Sequence, residues 1–442
     1  MVVVEMENCF VLIFSKDNKY SSNILLAGIE PKVKDYSIYL FQWDSDRSFI
    51  HEIVDIGRKC RRIVIGFTFM TPQLLIARDA VELLRKHLNN AIFVAGGPHA
   101  TGDPLGTLTK LGFDLVVVGE GEETLAEVLN AVSSCDEFRV CGTAFIEDDR
   151  LIIKRRVKQV DLDHHAPFPY WRNRFNPIEI MRGCSSACHF CQVTYTFGMP
   201  RYRSVDSIAR YSKLMVSKGL KDIRFIAPNS LGYGSPDGIK PGFEAIPHLL
   251  ERLHNTIVEN GGRIFFGTFP SEARPDSVSD DIVRVMKKYV SNDRVIIGVQ
   301  SGSNKILKTI RRNHTVEDAV TAIQVLNRYG FAVDVDLIFG FPFEDADDLG
   351  DTLRFIQEVR KFNVRFHLHT FIPLPGTPYS DLNPKFLDSE MRIRIAKLVG
   401  LGKAYGEWHK QESIAKLIME LRSRGFIYSF KDVIKASRTY TC

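Results

Sequence analysis

The sequence predicts an α/β fold: two successive domains of alternating strands and helices, a linker between them, and a helical carboxyl-terminal segment. Short apolar runs alternate with segments of helical spacing over residues 1–134, and the same alternation begins again at Pro177. Residues 157–177 differ, because they are rich in proline and aromatic residues and show no period. At 442 residues the chain is long enough for two or three domains. The predicted divisions are 1–156, 157–177, 178–382 and 383–442.

Five apolar runs in the first domain have the near-continuous hydrophobic character of parallel strands that are buried on both faces. They span residues 9–15, 36–42, 61–69, 91–97 and 114–121. Helical spacing occurs at 72–88, 104–111 and 122–131. This order predicts a doubly wound, Rossmann-like sheet. A hairpin is predicted at 143–156, with its turn at Asp148 and Asp149.

The second domain repeats the strand–helix unit six times, which predicts a partial (β/α)6, TIM-like barrel that is open on one side. Its strands are expected at 178–182, 222–227, 263–268, 294–299, 332–339 and 365–371. Its helices are expected near 205–217, 242–259, 278–289, 316–329 and 346–362. Two further helices are predicted at 390–403 and 413–424. The spacing of Ile393, Ala396, Leu398 and Leu401 favours packing of this segment over the open side of the barrel.

Composition places the chain among ordinary folded proteins. Hydrophobic residues make up 45% and charged residues 25%, and no apolar run reaches the roughly 18 residues of a membrane span. The start of the chain lacks the basic residues and long apolar stretch of a secretory signal, so a cytoplasmic protein is expected. The net charge of +5 arises in residues 383–442, which hold 12 basic and 6 acidic residues. We interpret this excess as a solvated helical face rather than a surface for an acidic partner, and expect neither membrane nor nucleic acid binding.

Three of the eight cysteines fall in one short loop, in the pattern Cys184-x3-Cys188-x2-Cys191, directly after the first barrel strand. Three thiolates in a tight loop can hold three corners of a [4Fe–4S] cluster and leave one iron open for another ligand. A structural zinc site normally needs four protein ligands, and His189 lies inside the loop, where it is badly placed to be the fourth. The other cysteines are scattered and are predicted to be buried thiols: Cys9, Cys60, Cys135, Cys141 and Cys442.

The cysteine loop resembles that of the radical S-adenosylmethionine (SAM) superfamily, and the resemblance extends over residues 178–380. Five further segments carry the resemblance, and they lie at the carboxyl ends of predicted strands or just after them. They are FPSEAR (269–274), GVQSGS (298–303), KILKTIRR (305–312), FGFPFE (339–344) and PLPGTP (373–378). The resemblance implies that the open iron binds the amino and carboxylate groups of SAM. It also implies SAM contacts at Phe190, Glu272, Arg274, Gln300, Ser301, Gly302, Arg312, Gly340, Phe341 and Pro342.

Glycine turns follow the fourth and fifth strands of the first domain, as AGGPHAT (95–101) and GEGEET (119–124). Such turns let a ligand approach the backbone, and the helix starts behind them offer free N–H groups. These motifs resemble the cobalamin-binding domain that precedes many radical SAM barrels. The resemblance implies cobalamin contacts at Ser15, Thr68, Phe69, Met70, Thr71, Gly96, Gly97, Pro98, His99, Ala100, Gly119, Glu120, Gly121 and Glu122. The Asp-x-His-x-x-Gly loop of other corrinoid folds is absent, so no histidine from such a loop is expected on cobalt.

Together, these resemblances imply a cobalamin-dependent radical SAM methyltransferase of class B. In that family, one SAM methylates cob(I)alamin, and a second yields a 5′-deoxyadenosyl radical that abstracts hydrogen from an unactivated carbon. The substrate radical then takes the methyl group from methylcobalamin, and an external electron donor is needed. Family substrates include small natural products, peptides and protein residues. The compact plan favours a protein or peptide residue, as in methanogen members that methylate methyl-coenzyme M reductase.

Three other functions remain open from the sequence. Methylthiotransferases share the QSGS, GFP and PGTP segments, but their first domain carries three more cysteines and their terminal RNA-binding barrel has no counterpart in this sequence. A radical SAM enzyme that does not use cobalamin, such as a rearrangement or sulfur-insertion enzyme, is a second alternative. The third is a non-catalytic metal-binding sensor module, which would need a stable metal and no open coordination site.

Overall fold

The computed structural model describes residues 7–43 and 49–442. The strands of the amino-terminal part are β1 (Asn8–Phe14), β2 (Tyr36–Gln42), β3 (Arg62–Thr68), β4 (Ile92–Gly96), β5 (Leu115–Val117), β6 (Thr143–Glu147) and β7 (Arg150–Arg155). The helices among them are α1 (Lys19–Ile29), α2 (Phe49–Gly57), α3 (Leu74–Arg85), α4 (Pro98–Gly102), α5 (Pro104–Lys110) and α6 (Gly121–Ser134). Strands β2, β1, β3, β4 and β5 pair in parallel in that order, and β6 and β7 extend the sheet antiparallel.

The first sheet is buried on both faces, as its apolar runs predict. Cys9, Val11 and Ile13 of β1 pack into one hydrophobic core. The alternate residues Phe10, Leu12 and Phe14 pack into a second core on the opposite face. This arrangement confirms the doubly wound fold. The predicted hairpin is also present, since Asp148 and Asp149 have positive φ angles of 47° and 58°, which a tight two-residue turn requires.

The second domain is the predicted partial barrel. Its strands are β8 (Ile178–Glu179), β9 (Met181–Arg182), β10 (Arg201–Tyr202), β11 (Asp222–Ile226), β12 (Arg263–Phe265), β13 (Arg294–Gln300), β14 (Ala332–Phe339), β15 (Val364–Thr370) and β16 (Ala404–Tyr405). Its helices are α7 (Val193–Phe197), α8 (Val205–Ser217), α9 (Ala245–Ile257), α10 (Asp280–Tyr289), α11 (Asn304–Thr309), α12 (Val316–Arg328) and α13 (Ala346–Val359). Strands β9 and β10 pair antiparallel with each other. The other strands form two parallel groups, β8-β11-β12 and β13-β14-β15-β16, and a bridge between Ala273 and Ile297 connects them.

Strand β14 of the barrel separates apolar from polar side chains by alternation. Val333, Val335 and Leu337 of β14 are buried in the core with the helices. Asp334 and Asp336 occupy the alternate positions and therefore point to the other face, into the barrel interior. The lumen is thus polar along this side.

The carboxyl-terminal segment corrects the prediction of a purely helical cover for the barrel. Its helices are α14 (Ser389–Gly400), α15 (Trp408–Ser423) and α16 (Phe430–Ala436), but β16 joins the barrel sheet and β17 (Ser437–Thr441) pairs in parallel with β7 of the first sheet. The predicted apolar face of α14 is wrong, because Ile393 is 69% exposed and Leu401 66%. Met391 and Ile395, one helical turn apart, are buried instead.

The scattered cysteines also differ from the prediction of buried thiols. Cys9 is paired with Cys60, and Cys141 with Cys442, as disulfides, while Cys135 is exposed. The fold explains both pairings, since β1 lies beside β3 and β17 lies beside β7, whereas the partners are 51 and 301 residues apart in sequence. Within the described residues, no helix combines the length and apolar character needed to cross a bilayer.

Candidate functional site

The cysteine loop connects β9 to α7 at the mouth of the barrel. Gly183 begins it with a φ of +84°, and a Cβ atom there would lie 2.2 Å from the Met199 carbonyl oxygen, so only glycine fits. The Thr194 hydroxyl donates to the Cys184 carbonyl at 2.6 Å, and the Cys191 amide donates to the Cys188 carbonyl at 3.1 Å. Burial, together with the nearby Cys188 and Cys184 thiols, raises the pKa of Cys191 to about 11. The three thiols of the loop are therefore close enough to influence one another, as a cluster site requires.

Two arginines flank the cysteine loop with different partners. Arg312 lies with Nη1 3.9 Å from the Cys188 sulfur and donates from Nη2 to the Gly298 carbonyl at 2.6 Å. Its buried Nε has no hydrogen-bond partner, which leaves a donor for a ligand. Arg274 is only 1% exposed and donates to Asp276, to the Ser186 hydroxyl at 3.0 Å and to the Arg312 carbonyl at 2.6 Å. Arg274 thus ties the loop to the barrel, and its contact with SAM stays a prediction.

The segment after β13 gathers further predicted SAM residues around a bulge in the strand. Gln300 has a φ of +79° at a register shift between β13 and β14. A Cβ atom at Gly298 would lie 2.7 Å from both Arg312 Nη2 and Gln300 Nε2, so these two side chains meet over the glycine. Ser301 and Gly302 are buried behind them, and the Gly302 amide donates to the Thr352 hydroxyl at 3.1 Å. Ser301 and Gly302 therefore shape the site from beneath.

Phe190 and Phe341, two of the predicted SAM contacts, form an aromatic wall. The rings of Phe190 and Phe341 meet edge to face with centroids 5.8 Å apart, and Phe341 is fully buried. Gly340 turns with a φ of +87°, its amide donates to Glu344 at 2.7 Å, and Pro342 follows in the same turn. Burial raises the pKa of Glu272, another predicted SAM residue, and nearby Asp336 raises it further. Glu272 is therefore near enough to Asp336 for the two carboxylates to repel each other.

A cavity of about 480 Å³ lies between the first domain and the barrel. The strand-end loops supply nine of the predicted cobalamin residues to its wall: Thr68, Met70, Gly96, Gly97, Pro98, Gly119, Glu120, Gly121 and Glu122. The barrel supplies Glu179, Arg182, Gln192, Val193, Thr196 and Phe197, and several of these directly follow the cysteine loop. The cavity therefore adjoins the cysteine loop, so one ligand could contact both domains.

Five predicted cobalamin residues lie behind the cavity wall instead. Phe69, His99 and Ala100 are fully buried, and Thr71 is 3% exposed. The His99 ring approaches the Thr71 hydroxyl at 3.1 Å and packs on Phe69, and burial lowers its pKa to about 3. Ser15 accepts a hydrogen bond from Gln73 at 2.8 Å. These side chains support the loops, and the sequence could not separate them from the wall residues because both sets share the same turns.

An ion-pair network that the sequence interpretation missed joins the two domains at the cavity. Arg182 donates to Glu120 at 2.6 Å and to Glu122 at 2.7 Å in the first domain, and to Glu179 at 2.6 Å in the barrel. Arg201 also pairs with Glu120. The sequence signal that could have indicated this network is the position of Arg182, directly before Gly183 and Cys184.

Two family models match the chain over the parts that form this site. The radical SAM superfamily model matches residues 178–356, and the B12-binding domain model matches residues 32–129. The chain contains a B12-binding domain followed by a radical SAM domain. The cavity between the domains thus lies between the glycine turns of the B12-binding domain and the cysteine loop of the radical SAM domain.

Relatives in sequence match different shares of this chain and carry different names. An uncharacterized protein of Methanocaldococcus jannaschii is 23% identical over 78% of this chain and 75% of its own length. A tRNA-2-methylthio-N(6)-dimethylallyladenosine synthase of Thermosipho africanus is 28% identical over 80% of this chain and 77% of its own. The enzyme of that name from Buchnera aphidicola is 34% identical, but the match covers 49% of this chain and 48% of the relative. The match to the Buchnera aphidicola enzyme therefore spans about half of each protein.

Solved structures share the arrangement of both domains. The radical SAM methyltransferase TsrM of Kitasatospora setae, with cobalamin and a [4Fe–4S] cluster bound, gives a TM-score of 0.66 at 14% identity, covering 84% of this chain and 73% of TsrM. The cobalamin-dependent SAM radical enzyme OxsB, with aqua-cobalamin and SAM bound, gives a TM-score of 0.68 at 16% identity. That match covers 89% of this chain and 61% of OxsB. At these identities, the likeness establishes the fold.

Proposed function

We propose that this protein is a cobalamin-dependent radical SAM methyltransferase that methylates an unactivated carbon. The observation that carries the proposal is the cavity of about 480 Å³, because its wall joins the glycine turns of the B12-binding domain to residues directly after the cysteine loop. Such an arrangement would bring a cobalamin and a cluster-bound SAM to the same cavity. Methyl transfer between two cofactors needs this proximity.

The residues present fit the three groups that the proposal requires. Gly96 lines the cavity, and a Cβ atom there would have no neighbour within 4 Å, which leaves room for a flat macrocycle against the backbone. The three converging thiols suit a [4Fe–4S] cluster with one open iron. The unpartnered Arg312 Nε suits the SAM carboxylate. When bound, the cluster would supply the electron that cleaves SAM, and the cobalamin would supply the methyl group.

The chain's own part in this reaction is to hold the two domains together. Gln192 donates to the Pro98 carbonyl at 3.3 Å and to the Pro375 carbonyl at 2.7 Å, so one amide joins a glycine turn to the PGTP loop. Beside it, the backbones of Gly102 and Gly376 pack so closely that a Cβ atom at Gly102 would lie 2.4 Å from the Pro375 oxygen. Both contacts hold the first domain against the PGTP loop of the barrel.

The test uses protein purified without oxygen from a host supplied with cobalamin. Iron, sulfide and cobalt are counted per chain, and the protein is incubated with SAM and a strong reductant. The proposal predicts about one cobalt beside one four-iron cluster, and the formation of both 5′-deoxyadenosine and S-adenosylhomocysteine. A full cluster without cobalt, even after reconstitution with cobalamin, would refute it. Absence of 5′-deoxyadenosine would favour the sensor alternative.

A methylthiotransferase is the second candidate, favoured by the names of the relatives from Thermosipho africanus and Buchnera aphidicola. Against it, the first-domain cysteines Cys9 and Cys60 are paired with each other, and Cys135 is exposed. In the described residues they therefore offer no second group of three thiols. The two candidates differ in their products, since the mass gained by the substrate contains sulfur only in the second case.

The substrate remains a prediction from the sequence. A protein or peptide residue is our first choice and a small molecule the second, with an external electron donor. Candidate substrates are best screened with SAM carrying a deuterated methyl group, because transfer of the label identifies the methylated carbon directly.

A further inference from the structure

Strands β14 and β15 place three metal-ligating side chains together inside the barrel. Asp336 and His367 pair directly across the two strands, and His369 follows on the same face of β15. His367 Nδ1 lies 2.9 Å from Asp336 Oδ1 and 3.1 Å from His369 Nε2, and the latter lies 3.8 Å from the same carboxylate oxygen. We propose that Asp336, His367 and His369 form a binding site for a divalent transition-metal ion.

The spacing of these atoms suits metal coordination. With ligand bonds near 2.1 Å, neighbouring donors on one face of an octahedron are about 3.0 Å apart, and those of a tetrahedron about 3.4 Å. The three observed separations of 2.9, 3.1 and 3.8 Å span these values. Two imidazoles and one carboxylate are a donor set for zinc, iron(II), cobalt(II) or manganese, and leave positions for water or a substrate oxygen.

Hydrogen bonds alone do not satisfy this cluster. The Thr370 amide donates to Gln411 Oε1 at 2.8 Å, so Gln411 Nε2 donates to His369 Nδ1 at 3.0 Å. His369 then carries its own proton on Nε2 and points it at His367 Nδ1. If His367 Nδ1 accepts that proton, it faces the Asp336 carboxylate at 2.9 Å with no hydrogen between them. If it carries its own proton instead, it donates to Asp336 but meets the His369 N–H at 3.1 Å. A cation in place of the proton would take a lone pair from all three groups.

Gln411 would then serve as the outer partner of the site. A histidine that binds metal through Nε2 carries its proton on Nδ1 and usually donates it to a nearby oxygen. In the structure Gln411 Oε1 accepts from Thr370 and Nε2 faces His369 Nδ1, so metal binding would require the Gln411 amide to flip, present Oε1 to His369 and give up its bond to the Thr370 amide.

Charge and access support the same assignment. The arginines of this face, Arg294 and Arg365, both pair with Asp334, at 2.8 and 3.0 Å. In the described parts of the chain, no arginine or lysine forms an ion pair with Asp336, so its charge is left to the two histidines. The side chains of His367 and His369 are 28% and 24% exposed, which leaves the ion's other positions open to the lumen.

The test uses the full chain with Cys184, Cys188 and Cys191 all changed to Ala, so that the cluster thiols cannot bind the probe. Equilibrium dialysis against zinc, followed by metal analysis, should find about one ion per chain. Loss of an outer partner typically weakens metal binding by roughly 10- to 100-fold, so Gln411→Ala should weaken it by about tenfold. Asp336→Asn and His369→Gln remove ligands themselves and should each weaken binding by at least that range. His248→Gln, on an exposed histidine of α9, is the matched control and should leave binding unchanged.

Thermal unfolding with and without zinc guards against variants that merely fail to fold. Zinc should raise the melting temperature of the parent protein and of His248→Gln, but not of folded Asp336→Asn or His369→Gln. No stoichiometric zinc, or binding that survives Asp336→Asn combined with His369→Gln, would overturn the proposal and leave a hydrogen-bonded polar cluster. The result is independent of cobalamin content and SAM cleavage, which are measured on protein that retains its cysteines.

Discussion

The Arg182 guanidinium donates to the Glu122 carboxylate at 2.7 Å across the boundary between the two domains, and both side chains are nearly buried. Burial alone would raise the pKa of Glu122, but the neighbouring Arg182 lowers it below its usual range. The pairing therefore holds a glycine turn of the B12-binding domain against the strand that leads into Cys184. The two predicted cofactor sites are linked by one side chain.

Replacing Arg182 with Met should separate the two domains at the cavity. The change leaves Glu120, Glu122 and Glu179 buried without their common partner, and breaking a buried ion pair from one side costs about 3–5 kcal/mol. We expect the free energy of the first unfolding transition in urea to fall by about 3 kcal/mol, together with loss of cobalamin on gel filtration.

Arg252→Met is the control for this prediction. Arg252 pairs with Asp206 on the surface, where an ion pair is worth at most about 1 kcal/mol. If Arg182→Met is as stable as Arg252→Met and keeps its cobalamin, the buried network does not hold the domains together.

Gly96→Val should block cobalamin without disturbing the fold. A Cβ atom at this position meets nothing within 4 Å in the protein, yet the residue lines the cavity, so added methyl groups would occupy ligand space. We expect reduced cobalt per chain with an unchanged iron content and melting temperature. Gly400→Val, at the end of α14, also has no neighbour within 4 Å and should leave both metals unchanged. Full cobalt in Gly96→Val would mean that the ligand lies elsewhere.

Much of the fold was predictable because hydrophobic periodicity is a local property of the sequence. Helix α8 spans Val205–Ser217 as predicted, and β2 spans Tyr36–Gln42 as predicted. Strand β17 was not predictable, because Ser437–Thr441 has no buried residue and becomes a strand only by pairing with β7 from a distant part of the chain. The pairings of Cys9 and Cys141 depend on the same long-range topology.

The candidate site was predictable at the level of loops and less so at the level of side chains. Glycine turns and cysteine spacing identify which segments meet a ligand, but not which side chains of a turn face it. His99 and Pro98 are adjacent in sequence, yet Pro98 lines the cavity and His99 is buried beneath it. The ion pairs of Arg182 and the cluster around Asp336 form between separate strands or domains, so no local sequence pattern predicts them.

Cys188→Ala should abolish SAM cleavage through loss of the cluster. The Cys188 thiol is buried and lies 3.9 Å from Arg312 Nη1, at the centre of the predicted cluster and SAM site. Anaerobically reconstituted Cys188→Ala should bind substoichiometric iron and form no 5′-deoxyadenosine. Cys135→Ala removes an exposed thiol outside the loop and should match the parent in both measurements. Normal 5′-deoxyadenosine formation by Cys188→Ala would show that the cluster assignment is wrong.

The turn that carries Phe341 should make stability depend on pH through Glu344. Burial, with a smaller contribution from nearby Asp348, raises the pKa of this carboxyl from 4.5 to about 7. The neutral form suits the site, because Oε2 accepts from the Gly340 amide at 2.7 Å while Oε1 is buried without a partner and can carry the proton. Since the folded state holds the proton more tightly, its contribution is complete below pH 4.5 and is lost as the pH rises through 7.

Glu344→Gln tests this directly, because the amide stays neutral at every pH and keeps an oxygen for Gly340. The parent should lose up to about 3 kcal/mol of unfolding free energy between pH 5 and 8 relative to Glu344→Gln, measured by urea titration across that range. Glu390→Gln, at an exposed carboxylate paired with Arg394, should follow the parent curve. Parallel curves for the parent and Glu344→Gln would mean that Glu344 is already ionised in the folded protein, and that the Gly340 turn is held by a carboxylate at neutral pH.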